Sequence, residues 1–74
     1  MRNLRLTAVI EREADLYVAH CAELDVASQG ESVEDARRNL KEAVEIFLET
    51  ASVEEVKARL HQEVYVTHLE VAVA

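Results

Sequence analysis

The spacing of apolar residues switches between a two-residue and a three-to-four-residue period along this chain, and each switch marks a predicted element. Residues 4–10 alternate, with Leu4, Leu6, Ala8 and Ile10 on one face and Arg5, Thr7 and Val9 on the other, which is the period of a strand. The polar cluster Glu11-Arg12-Glu13-Ala14-Asp15 interrupts the alternation, and Leu16–Cys21 resumes it. This pair predicts an antiparallel hairpin with a turn of four or five residues. After the loop Ala22-Glu23-Leu24-Asp25, a third short strand is expected over residues 26–29, completing a meander.

Gly30, the only glycine, stands where a backbone free of Cβ restraint is useful, just before the period changes. Ser32 followed by Asp35 resembles a capping box with Asp in place of Glu, and Val33, Ala36, Leu40, Ala43, Val44 and Phe47 then recur at helical steps. An amphipathic helix over Val33–Thr50 would run about 27 Å and lay its apolar stripe on the meander. Ile46 and Leu48 fall outside that stripe. Ser52 with Glu55 repeats the capping signature, and Val53, Val56 and Leu60 predict a second, shorter helix ending near His61. Residues 64–73 alternate again, with Tyr65, Thr67, Leu69, Val71 and Val73 on one side and Val64, Val66, His68, Glu70 and Ala72 on the other. A terminal strand is expected there. The fold class is therefore α+β, in the order β-β-β-α-α-β. Ten residues is long for an edge strand in so small a sheet. Pairing across a subunit boundary through Tyr65, Leu69, Val71 and Val73 is expected, giving a homodimer or homotetramer.

Size supports this expectation. Residues 1–74 make one domain, and a chain of this length removes from water only about 60% of the surface it exposes when unfolded. Small domains usually add a staple. Cys21 is alone, so no intrachain disulfide is available, and no Cys pair has zinc-ligand spacing. Assembly is the remaining route to extra burial. Half of the residues are hydrophobic, which opposes disorder, yet no run approaches the roughly 20 apolar residues of a membrane span. The opening MRNLRL lacks the apolar core of a secretion signal, so a cytoplasmic protein is expected.

The charge is unevenly placed. From residue 11 to residue 35, eight acidic residues face Arg12 alone, which accounts for the entire net charge of -7. Such a field repels phosphate backbones and attracts basic proteins, so direct nucleic-acid binding is disfavoured and a basic protein partner favoured. A solvated surface kept for solubility is the plainer reading of the same residues.

Catalytic and metal chemistry finds little footing. His20 and Cys21 are strand neighbours that point to opposite faces, so they cannot share a metal or act as base and nucleophile. His61 and His68 lie on different elements, Ser28 has no placed base, and no metal or other cofactor is implied. Glu11, Glu13 and Asp15 in a turn and Glu23 and Asp25 in a loop could gather a divalent cation for phosphodiester hydrolysis, but their spacing does not converge. On the long helix, Glu34 with Arg38, Arg38 with Glu42, and Lys41 with Glu45 stand at i,i+4 and are expected to pair. Arg37, Arg38 and Lys41 therefore make a poor phosphate site.

Taken in order, YVAHCAEL over residues 17–24, SQGES over 28–32 and EDARRNLKEAV over 34–44 resemble the HicB-like antitoxin family, and the likeness covers nearly the whole chain. The resemblance implies a partial, degenerate ribonuclease-H-like fold. It also implies a non-catalytic role, binding and neutralising a small basic HicA-type toxin that cleaves mRNA. Glu11, Glu13, Asp15, Glu23 and Asp25 are the contact candidates, chosen on charge and loop position. Two departures stand out: Ala22 follows Cys21 where the family often has Pro, and the chain ends in a predicted strand where full-length members carry a DNA-binding segment. Operator binding is therefore not carried over. The alternatives are a small metal-dependent nuclease of degenerate ribonuclease-H type and a structural or ligand-binding oligomeric module.

Overall fold

A computed structural model describes residues 3–74. Three antiparallel strands, β1 (Ala8–Glu13), β2 (Leu16–Cys21) and β3 (Val26–Gly30), form a meander in spatial order β1-β2-β3. They are followed by α1 (Val33–Thr50) and α2 (Val53–Arg59), an α+β fold. Register is set by Ile10 opposite Ala19 and Ala19 opposite Ser28. Because side chains alternate, Ala19 and Cys21 point to the same face, where α1 lays Ala36, Leu40 and Val44 across them. Leu24, fully buried in the β2–β3 loop, closes this core, and Leu6, Ile10, Tyr17, Val26, Phe47 and Leu60 pack around it. Each buried Leu or Val contributes about 1.5–3 kcal/mol relative to exposure.

Helix α1 begins as its sequence requires. Ser32 is extended (φ -141°, ψ 168°), and its Oγ accepts from the Asp35 backbone N–H at 3.0 Å. Ser52 repeats the arrangement for α2, accepting from Glu55 N–H at 3.1 Å. Asp35 does not complete a capping box; its carboxylate holds Arg38 at 2.7 Å. That i,i+3 contact takes the place of the expected i,i+4 pairs of Arg38 with Glu34 and Glu42, both spacings putting the partners on one side of the helix. Arg59 stacks over the Phe47 ring at 4.9 Å and ties α2 to the end of α1.

The structure corrects two of the expected strands. β1 runs over Ala8–Glu13 rather than residues 4–10, because the hairpin turn is only Ala14-Asp15 and the charged cluster is drawn into the ladder: Glu11 opposes Val18, Arg12 opposes Tyr17 and Glu13 opposes Leu16. The tight turn is bought with a positive φ of 54° at Ala14, a conformation that favours glycine. Residues 4–6 precede the ladder, while Thr7 C=O, just before β1, still accepts from Ala22 N–H at 3.1 Å.

The second correction is the last strand. Residues 64–73 form no strand within this chain, because no edge of the chain's own sheet lies beside them. His61 N–H donates to Glu23 C=O at 2.8 Å, fixing the base of the segment, and from there it runs outward. Tyr65, Leu69, Val71 and Val73 are 73–90% exposed. The radius of gyration is accordingly 14.3 Å, where a compact chain of this length has about 11 Å.

Candidate protein-binding site

Helix α1 covers one face of the meander, and the other is left to solvent. Alternation places Val9, Glu11 and Glu13 of β1, Leu16, Val18 and His20 of β2, and Ala27 and Gln29 of β3 on this outward face. Glu11 and Glu13 are exposed there, and Asp15 is exposed at the hairpin tip beside them. The three carboxylates thus occupy one end of the sheet. Val9, Val18 and Ala27 give the rest of the face an apolar floor.

Asp25 lies at the opposite end of β2. It adopts φ 56°, which Asp tolerates better than most residues, and this bend brings its carboxylate within 2.8 Å of His20 Nε2. The hydrogen bond and charge of His20 hold the Asp25 carboxyl below its usual range, with smaller help from Arg59 and His61. Sequence spacing alone did not reveal this pair. The signal available was a His on the outward face of β2 followed by a short loop with an Asp able to enter the left-handed region.

Glu23 is placed differently from the other four. Its carboxylate folds back against the start of β1, accepting from Thr7 N–H and from Thr7 Oγ, both at 2.7 Å, with Cys21 Sγ at 3.8 Å. Burial pushes the carboxyl pKa up, but the hydrogen bonds from Thr7 outweigh it and the net direction is down. Glu23 therefore welds the β2–β3 loop to β1. Cys21 is buried in the core at 1% exposure, and His20 and Cys21 do face opposite ways. Among the described residues, no three His, Cys, Asp or Glu side chains converge as metal donors.

The domain is α+β, with one face of its sheet covered by α1 and the other open and carrying the exposed Glu11 and Glu13. Searches returned no matching family model and no significantly matching solved structure. A relative from Helicobacter pylori (strain J99 / ATCC 700824), named UPF0150 protein, is 34% identical over 70 residues, which span 93% of this chain and 97% of that protein. The chain belongs to the UPF0150 family.

Proposed function

We propose that this protein is a HicB-like antitoxin module that captures a small basic HicA-type toxin on its acidic sheet face. UPF0150 is the HicB-like family, and the motifs over residues 17–44 point the same way. The observation that carries the reading is the placement of Glu11, Glu13 and Asp15 together, exposed, at the turn end of the hairpin. Asp25, held ionised by His20, extends the negative field to the far end of the same face. Glu23 serves by fixing the loop that carries Asp25 rather than by touching the partner. Carboxylates spread along a face suit docking against a basic surface better than phosphodiester hydrolysis, which needs them gathered on one cation.

Titration with a purified HicA-type toxin tests the proposal. A complex is expected at about 50 mM salt, weakening as salt is added, because charge complementarity is screened over about 8 Å at physiological ionic strength. Joint Glu11→Lys and Glu13→Lys substitution should cost at least about 2 kcal/mol of affinity with the fold retained. No complex at low salt, or one indifferent to both charge reversals, would sink the reading.

A further inference from the structure

Among the described residues that alternation places on the outward sheet face, His20 is the one base. Its cross-strand neighbours, Val9 on β1 and Ala27 on β3, do not titrate. The charges around it are acidic. Asp25 Oδ1 lies 2.8 Å from its Nε2, and Glu11, which opposes Val18 two residues along β2, is its diagonal neighbour on the same face. Glu23 shares the loop with Asp25 but is committed to Thr7. From the end of α2, Arg59 and His61 extend their charge to Asp25, and α1 packs on the opposite face. A carboxylate only accepts, so His20 Nε2 donates to Asp25 and Nδ1 is the nitrogen left to take up a proton. The side chain is 45% exposed, within reach of water.

We propose that His20 is a proton-operated control on the acidic face, which holds a basic partner while the imidazole is neutral and releases it as Nδ1 is protonated. The inference rests on the docking of a basic partner at that face and adds its regulation. With His20 neutral, the His20–Asp25 pair carries the single negative charge of Asp25 and Glu11 stands free. With His20 protonated, the hydrogen bond becomes an ion pair of no net charge, and Glu11 has a cation as its diagonal neighbour. Imidazoles make this change between about pH 8 and pH 5, whereas carboxylates ordinarily titrate near pH 4 and Asp25 lower still. The carboxylates therefore stay ionised through the window, and His20 is the group on the face whose charge changes. The coupling is reciprocal: a cation docked against Glu11 and Asp25 disfavours the imidazolium, so binding within the window expels a proton from Nδ1 to solvent. His61 lies beyond α2 and off the sheet, which makes it the natural control.

Calorimetric titration at low salt with two basic probes tests it, a purified HicA-type toxin and N-acetylated decalysine, whose side chains stay charged throughout. Affinity for both should fall by about threefold or more from pH 8 to pH 5.5. At pH 6.5, buffers of different ionisation heat should reveal release of a fraction of a proton on binding decalysine, and imidazole NMR should identify His20 as the ring that loses it. His20→Gln keeps an amide N–H for Asp25 but cannot titrate, and should bind equally at both pH values; His61→Asn should keep the response. A toxin that binds at neither pH, beside decalysine that shows the response, removes the toxin reading and leaves the proton control standing. Overturning results are equal affinity at both pH values, an undiminished response in His20→Gln, a response lost in His61→Asn alone, or no binding of either probe. Should His20→Gln fail to fold, proton release by the unaltered protein decides the matter.

Discussion

At the scale of single residues, Gly30 and Glu23 show how position and reason separate. The sequence marks Gly30 as a point where the chain needs freedom, and the structure gives a different cause. A Cβ there would lie 2.5 Å from Ala36 N and 2.7 Å from Asp35 C, so the requirement is close approach of the α1 first turn. Gly30→Ala should destabilise the fold by about 2 kcal/mol, since only backbone movement relieves the clash, and urea unfolding measures it. Glu23 makes a pH prediction. Its carboxyl pKa is lowered on folding, so the stabilisation by Thr7 is fully present above the ordinary glutamate range and is lost as pH falls through the lowered folded value. Glu23→Gln should therefore be less stable than the parent at neutral pH, and the gap should close in acid. A gap independent of pH would show that Thr7 does not favour the charged form. Cys21 was legible as a core residue from its strand position. The engagement of Glu23 was not, because Thr7 is sixteen residues away and only strand pairing brings it near.

At the scale of elements, local signals were strongest where they were self-sufficient. α1 needs only its own periodicity and its own cap, and Val33–Thr50 could be read directly from the sequence. β1 needs a partner. Its charged end, Glu11 to Glu13, looks like a turn in isolation and becomes strand only because Val18, Tyr17 and Leu16 stand opposite, with Arg12 lying 5.9 Å from the Tyr17 ring centroid. Residues 64–73 show the converse, a strand pattern that no strand of the chain pairs with among the described residues. The two serine caps allow a graded prediction. Ser32→Ala and Ser52→Ala remove the same hydrogen bond, worth about 1 kcal/mol. α1 carries three core residues whereas α2 buries none, so Ser32→Ala should lower global stability by the full amount. Ser52→Ala should instead act locally, raising hydrogen exchange in α2 with a smaller change in the unfolding midpoint.

At the scale of the whole molecule, one charge distribution has two consequences of opposite sign. Net charge is -7, and its excess sits on residues 11–35, on the hairpin, the loop and the start of α1. Within the folded chain these carboxylates repel one another, and the ion pairs found among the described residues, His20–Asp25 and Arg38–Asp35, offset little of that repulsion. Added salt screens the repulsion and should raise the melting temperature over the range where the Debye length falls from about 30 Å to about 8 Å. If the sheet face docks a basic toxin as proposed, the same screening should weaken that attraction, so affinity should fall over that range. Neutralising part of the face links the two effects: Glu11→Gln with Glu13→Gln should reduce both salt dependences, because these two carboxylates contribute to both. Differential scanning fluorimetry and a salt series of toxin titrations measure them on one sample. If the double variant lost salt sensitivity of melting while toxin affinity kept its full slope, the docking surface would have to lie elsewhere on the molecule, and the exposed Glu31 and Glu34 would be the next carboxylates to neutralise.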